Sequence, residues 1–182
     1  YEGHVMGVLN VTPDSFYDGG KYKDLNSIVS QAKQMLEDGA TFIDIGGAST
    51  KPGADVVDEK EEINRVIPAI NAIKKHAPKA NISIDTTSSI VAEKAVTYGA
   101  SIVNDISAGT FDDRMLDVVA SLGIPYIAMH IQGTPKTMQI NPTYDHVVDD
   151  VFRAMESFRD RAFKQGIKQI IIDPGFGFGK TL

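Results

Sequence analysis

The 182-residue chain is 42% hydrophobic and 23% charged, carries a net charge of −6 with a pI near 5.1, and contains no cysteine. An acidic balance without a basic cluster disfavours nucleic acid and anionic membranes as partners, and the lack of cysteine excludes disulfides and thiolate catalysis. Because no apolar run reaches roughly 18 residues and no charged-then-apolar leader opens the chain, we expect a cytoplasmic protein that acts on small molecules.

A pattern of strand, loop and helix repeats about six times along the chain. Apolar runs that end in a polar residue predict six strands: Val5–Leu9, FIDI after Gly39, Ile82–Ile84, IVND after Gly99, YIAM after Gly123 and III before Asp173. Apolar periodicity predicts five helices: Ser27–Asp38, Asp58–His76, Ser88–Tyr98, Asp112–Leu122 and Asp145–Gln165. This alternation predicts a parallel sheet with crossover helices in a single domain, residues 1–182.

Four local features carry further expectations. The loop Asn10–Lys21 is longer than the usual connection of about 2 to 6 residues, which is typical of a lid, and Ser27 is the expected N-cap of the first helix. Pro68 predicts a kink or a late start in the second helix. The last strand, Ile170–Ile172, is expected to be fully buried. One stripe of the fifth helix is expected to be core: Val148, Val151, Phe152, Met155 and Phe158.

Polar side chains end most of the predicted strands and should meet at one edge of the sheet. They are Asn10, Asp44, Asp85, Asn104, His130 and Asp173. Since neighbouring strand residues point to opposite faces, only one of Asn104 and Asp105 can face the interior. Carboxylates and amides can bind a flat ring that offers several N–H donors and a carbonyl, as a pterin or a purine does. An amide oxygen such as that of Asn10 suits Mg²⁺ where substrate phosphates supply most ligands.

A glycine-rich loop follows the last strand. Gly175, Gly177 and Gly179 let the backbone approach a ligand closely, and Phe176 and Phe178 supply flat apolar faces. The strand ends carry no lysine for a Schiff base and no serine or cysteine elbow, so the sequence favours binding and orientation over nucleophilic catalysis.

Six segments together resemble the dihydropteroate synthase family, whose members join a pterin to 4-aminobenzoate in folate biosynthesis. They are NVTPDSFYDGG, DIGGASTKPGA, SIDT, NDIS, MHIQGTPKTMQ and DPGFGFGK, in the order the family has them. The resemblance implies a (β/α)8 TIM barrel, here incomplete with about six βα units, and a transferase that joins 6-hydroxymethyl-7,8-dihydropterin pyrophosphate to 4-aminobenzoate and releases pyrophosphate. It also implies a sulfonamide target and, in the full-length form, a homodimer.

The resemblance also implies roles for individual residues. The pterin is expected to contact Asp85, Asn104, Ile106, Met129, Asp173, Gly177 and Phe178. The 4-aminobenzoate is expected between Thr50, Lys51 and Pro52. The catalytic group is expected to comprise Asp18, Asp173 and Asn10, with Asn10 as the ligand of a Mg²⁺ cofactor that accompanies the pyrophosphate.

The chain departs from the family in two ways. It has Ala48 and Lys51 where the family usually has glutamate and arginine, and lysine lacks the planar fork of arginine. It also ends shortly after the sixth strand, whereas a closed barrel takes about 250 residues. We therefore expect a fragment of a longer synthase that keeps much of the pterin pocket and lacks full turnover. Two alternatives remain open: a methyltetrahydrofolate-binding methyltransferase and a non-catalytic pterin-binding fragment.

Overall fold

The computed structural model describes residues 3–11, 21–48 and 57–180, and six strands alternate with five helices within them. The strands are β1 (Met6–Asn10), β2 (Phe42–Gly46), β3 (Asn81–Asp85), β4 (Ile102–Asp105), β5 (Tyr126–Met129) and β6 (Ile170–Asp173). The helices are α1 (Lys21–Glu37), α2 (Glu59–His76), α3 (Ser89–Thr97), α4 (Met115–Leu122) and α5 (Val147–Gln165).

The six strands form one parallel sheet in the order β1-β2-β3-β4-β5-β6, so each crossover helix joins neighbouring strands. This arrangement is an incomplete α/β barrel, and it confirms the predicted fold class. The single domain over residues 1–182 stays a prediction. None of the helices in these described ranges is both long and apolar enough to cross a membrane.

Side chains alternate between two faces of the sheet, and the two faces differ in chemistry. The outer face packs against the helices in the main hydrophobic core and contributes Leu9, Ile43, Ile45, Ile82, Ile84, Val103, Tyr126 and Ala128. Full burial of one such isoleucine stabilises the fold by about 1.5–3 kcal/mol. The inner face carries polar groups near the carboxyl ends of the strands, and the helix core therefore holds the strands that position those groups.

Three predicted helix starts are wrong. Helix α1 begins at Lys21, so Ser27 lies inside it and is not the N-cap; the preceding turn, KYKDLN, has few apolar residues and gave no periodic signal. Helix α4 begins at Met115 because the Asp112 carboxylate accepts from the backbone N–H of Arg114 and forms a turn. Helix α5 begins at Val147, after a turn closed by the carboxylate of Asp150.

Helix α2 begins where it was predicted and has strong end signals. Asp58 is the N-cap and accepts from Lys60 N at 3.1 Å, while three glutamates occupy the first turn and two lysines and a histidine the last. The helix is continuous through Pro68, so the predicted late start is wrong. Packing of Val66, Ile70 and Ile73 against the core outweighs the hydrogen bond that proline removes.

The last strand and one side of α5 are less buried than predicted. Ile171 lies on the inner face, in register with Ile127, and is 50% exposed because β6 has a neighbouring strand on one edge only in the described part of the chain. On α5, Met155 and Phe158 are buried, but Val148 is 67% and Phe152 64% exposed. The apolar stripe of α5 is therefore wider than the surface that packs in this part of the chain.

Candidate functional site

Four positions in register across β1 to β4 form one level at the carboxyl end of the inner face: Asn10, Gly46, Asp85 and Asn104. A Cβ placed on Gly46 would lie 3.3 Å from Asp85 Oδ2 and 3.6 Å from Asn10 Oδ1. Both oxygens therefore converge on the space above Gly46. Glycine at this position leaves room there for a flat ligand.

Asn104 is held by a side chain one level deeper in the sheet. Its Nδ2 donates to Asp44 Oδ2 at 2.9 Å, across the intervening strand β3. Asp44 was predicted at the end of a strand, but it lies in the middle of β2 because the strand continues to Gly46. It is 4% exposed and therefore lies below the mouth of the site.

Asn104 and its neighbour Asp105 face opposite sides of the sheet, as predicted. Asp105 is fully buried on the helix side, where it accepts from Tyr126 Oη at 2.5 Å and from the backbone N–H groups of Ser107 and Gly109. These contacts close the turn after β4. Asp105 is thus part of the scaffold, and Asn104 is the residue of the pair that the site can use.

Asp173 reaches the same end of the sheet from β6, in register with Met129. Its Oδ1 accepts from Gly175 N at 2.8 Å, which fixes the carboxylate against the following loop. Gly175 has φ +67° and a Cβ there would lie 2.1 Å from the carbonyl oxygen of His130, so only glycine is accommodated. The loop is therefore packed directly on the end of β5.

Lys180 fixes this loop from the other side. Its Nζ donates to the carbonyl oxygens of His130 at 3.1 Å, Gly175 at 2.8 Å and Phe178 at 3.0 Å. An ammonium group has three N–H donors, so all of them are used. Lys180 ties the glycine-rich loop to the end of β5, where the backbone also bonds directly from His130 N to Asp173 O at 3.0 Å.

The electrostatics of the site favour a ligand with hydrogen-bond donors. Burial raises the pKa of Asp85 well above its usual range, and the neighbouring carboxylates of Asp44, Glu62 and Asp105 raise it further. Asp85 is enclosed by protein on most sides, yet part of its surface stays open, and it accepts no hydrogen bond from the described residues. Donors on a ligand would offset this desolvation.

Asp44 and His130 are also affected by burial. Burial raises the pKa of the Asp44 carboxyl group, and the hydrogen bond from Asn104 offsets part of that effect. Burial lowers the pKa of His130, and the nearby charge of Lys180 lowers it further. The His130 ring lies 6.2 Å from the ring of Tyr144, between centroids, so it contacts the following loop.

Comparison with known proteins decides the family. The profile described as "Pterin binding enzyme" matches residues 6–182. The chain belongs to the pterin-binding enzyme family.

Three relatives show how closely the chain follows this family. The chain is 47% identical over 180 residues to the dihydropteroate synthase of Synechocystis, covering 98% of this chain and 62% of that protein. The Yersinia pestis dihydropteroate synthase, solved with a sulfonamide drug complex, matches with a TM-score of 0.89 and 42% identity, covering 98% and 65%. The Xanthomonas albilineans enzyme, solved with 4-aminobenzoic acid, matches with a TM-score of 0.87 and 40% identity, covering 98% and 63%.

The chain spans between 24% and 65% of the length of the first four curated relatives it matches. The described part of this chain, six strands and five helices, thus corresponds to part of longer proteins.

The other sequence-predicted residues of this family site lie as follows. Ile106 and Met129 are buried outside the helix core, Met129 on the inner face, while Phe178 is partly exposed and Gly177 has open space around it. The remaining predicted site residues, Asp18, Thr50, Lys51 and Pro52, lie outside the described residues.

Sequence reasoning did not identify three residues that contribute to the candidate site. Two of them, Gly46 and Lys180, are described above. A glycine at a strand end where the neighbouring strands carry polar side chains could have indicated the open space at Gly46. Arg65 on α2 is the third; its Nη1 donates to the carbonyl oxygen of Gly47 at 2.8 Å. It holds the chain directly after the end of β2. An arginine within a predicted helix gave no signal for this contact.

Proposed function

We propose that the protein is a dihydropteroate synthase. It joins the pterin of 6-hydroxymethyl-7,8-dihydropterin pyrophosphate to 4-aminobenzoate and releases pyrophosphate, a transferase step of folate biosynthesis. The observation that carries this proposal is the placement of Asp85, Asn104 and Asp173 on the inner face, at the carboxyl ends of β3, β4 and β6, with Asp85 beside the open space above Gly46. The relatives named above support it.

The described residues can bind a pterin with its polar edge toward the carboxylates and its faces against apolar side chains. Asp85 and the second oxygen of Asp173 accept hydrogen bonds from ring N–H groups, and the amide oxygen of Asn104 accepts another. Met129, Ile106 and Phe178 supply apolar surface for the faces of the ring. Because Asp85 has like-charged neighbours and no described residue donates a hydrogen bond to it, hydrogen bonds from the ring N–H groups stabilise its carboxylate more than they would in water.

The reaction breaks the bond between the pterin methylene carbon and the pyrophosphate oxygen and forms a bond from that carbon to the amine nitrogen. The methylene becomes cationic as pyrophosphate departs, and the carboxylates of Asp173 and Asp18 stabilise that charge. The amine loses its proton after attack, so a weakly basic aniline needs no general base beforehand.

Asn10 suits the predicted role of a magnesium ligand. Its amide oxygen is a hard donor at the edge of the site, and part of the residue is exposed. No cluster of three acidic, histidine or cysteine side chains in the described ranges has the spacing for a metal ion. Asn10 would therefore hold Mg²⁺ together with pyrophosphate oxygens, and the ion would neutralise the charge of the leaving group.

The 4-aminobenzoate is proposed to bind between Thr50, Lys51 and Pro52, which follow in sequence after Gly47, the residue whose carbonyl oxygen accepts from Arg65. The same position would make the protein a sulfonamide target, since a sulfonamide resembles 4-aminobenzoate in shape. Lys51 offers a point charge to the aminobenzoate carboxylate rather than a bidentate fork, so we expect weaker binding of this substrate than in relatives with arginine.

A direct assay tests the proposal. The protein, in the longest form in which it occurs, is incubated with 6-hydroxymethyl-7,8-dihydropterin pyrophosphate and 4-aminobenzoate, and dihydropteroate and pyrophosphate are measured in parallel. We expect equal amounts of both products, and Asp173→Asn should abolish them. Pyrophosphate without dihydropteroate, or a requirement for a corrinoid, would contradict the proposal and favour the methyltransferase.

The cytoplasmic location and the homodimer of the full-length form stay predictions. Cell fractionation and light scattering of the full-length protein test them.

A further inference from the structure

We propose that Asp44 is a positioning residue that fixes the amide of Asn104 with its oxygen toward the pterin, so that this point of the pocket selects a ring edge that donates a hydrogen bond. The inference rests on the proposed function, because it concerns which edge of the proposed ligand the pocket accepts. Asp44 acts through Asn104 and lies one level below the ring.

The orientation follows from the donors and acceptors of the two side chains. An ionised carboxylate only accepts hydrogen bonds, so the group of Asn104 that lies 2.9 Å from Asp44 Oδ2 is the NH₂ group. The carbonyl oxygen of the same amide is then directed away from Asp44. That oxygen accepts no hydrogen bond from the described residues and is available to a ligand.

The surroundings of Asp44 let this contact form and keep it dry. Asp44 belongs to β2 and Asn104 to β4, so the bond passes over β3, where the residue in register with Asp44 is the small Ser83. Asp44 is 4% exposed and Ser83 is fully buried. Water therefore competes little for the carboxylate, and the bond holds the amide more strongly than it would at the surface.

A fixed amide gives chemical selectivity, whereas a free one does not. Asparagine offers a donor on one side and an acceptor on the other, and a half-turn of the amide exchanges them. With the NH₂ group toward the ring, a ring N–H would face another N–H and both donors would stay unpaired. A site built to hydrogen-bond a ligand group rejects the wrong partner through this kind of loss.

Substitutions at position 44 separate orientation from packing. Asp44→Asn keeps an acceptor at that position in one of its two amide orientations, so the affinity for 6-hydroxymethylpterin should fall only a few-fold. Asp44→Leu has similar volume but no acceptor, and the NH₂ group of Asn104 should then turn toward the pocket. We expect the Asp44→Leu affinity, measured by calorimetry, to fall at least about 10-fold, the scale of one lost hydrogen bond.

A second substitution tests whether orientation is the cause. A carboxylate presents an oxygen on both sides, so Asn104→Asp restores an acceptor whichever way the group turns. The double variant D44L/N104D should bind 6-hydroxymethylpterin more tightly than D44L alone, by about 5-fold or more. Binding of D44L within 2-fold of the unchanged chain, or no recovery in the double variant, would overturn the inference while leaving the proposed function intact.

A readout without ligand completes the test. The ¹H–¹⁵N resonances of the Asn104 side-chain amide should show one downfield, carboxylate-bonded proton in the unchanged chain, and this shift should disappear in Asp44→Leu. Unchanged resonances would overturn the inference. Failure of the unchanged chain to bind 6-hydroxymethylpterin, with the amide shift present, would instead overturn the proposed function and leave the Asp44–Asn104 contact established.

Discussion

Replacing Gly175 by alanine tests how the glycine-rich loop positions Asp173. The residue has φ +67°, a conformation that costs an alanine about 1–2 kcal/mol. The added Cβ would also lie 2.1 Å from the His130 carbonyl oxygen, so the loop has to move by more than 1 Å to reach ordinary contact at about 3.4 Å.

That movement breaks the two hydrogen bonds that Gly175 makes to charged groups, from its N–H to Asp173 and from Lys180 to its carbonyl oxygen. Each such bond contributes about 1.5–3 kcal/mol. We expect Gly175→Ala to lower the free energy of unfolding by about 4 kcal/mol or more in urea titrations.

Gly123 is the matched control, since it also has a positive φ, +66°, and no atom lies within 4 Å of an added Cβ, but it ends α4 and is not a site residue. Gly123→Ala should cost only about 1–2 kcal/mol, the left-handed conformation alone. Calorimetry with 6-hydroxymethylpterin should show a much larger loss of affinity for Gly175→Ala than for Gly123→Ala. Equal losses of stability and affinity in the two variants would refute the proposed link between the loop and Asp173.

Three further predictions follow from other contacts. Asp85→Asn should stabilise the protein at neutral pH by about 1 kcal/mol while abolishing pterin binding. The pKa of Asp85 is raised in the folded state, so the folded chain binds more protons than the unfolded chain and the unchanged protein loses stability as pH rises through that pKa. The stability gained by Asp85→Asn should therefore disappear near pH 4 in thermal melts. A gain that grows on acidification would contradict this. Tyr126→Phe removes the hydrogen bond to the buried carboxylate of Asp105, so it should lower the free energy of unfolding by about 1.5–3 kcal/mol and leave the pterin affinity unchanged. A loss of affinity without a loss of stability would show instead that Asp105 belongs to the site. Lys180→Met should weaken pterin binding and lower the melting temperature, whereas the exposed Lys168→Met should change neither, and identical behaviour of the two variants would refute the positioning role of Lys180.

The sequence was informative where local chemistry determines the structure. Six apolar runs with polar ends were sufficient to predict the parallel sheet, because a buried parallel strand has few other interpretations. Period-2 alternation predicted that Asn104 and Asp105 face opposite sides, and the hydrogen bonds to Asp44 and Tyr126 confirm it. Gly123 and Gly166, which precede β5 and β6, end α4 and α5 in the left-handed conformation that glycine adopts readily.

The errors arose where tertiary contacts, rather than local pattern, decide the outcome. An isoleucine run such as Ile170–Ile172 gives the same signal at the centre and at the edge of a sheet, so its exposure was not predictable. The role of Lys180 depends on three carbonyl oxygens that only the folded loop brings together. Asp44 was placed at a strand end because Gly46 gave no sign that β2 continues.

A crystal structure of the chain soaked with 6-hydroxymethylpterin tests the central claim most directly. We predict the ring on the inner face above Gly46, with Asp85, Asn104 and Asp173 each within hydrogen-bond distance of a ring group. A ring bound elsewhere, or none at saturating concentration, would contradict the claim that these three side chains form one pterin pocket.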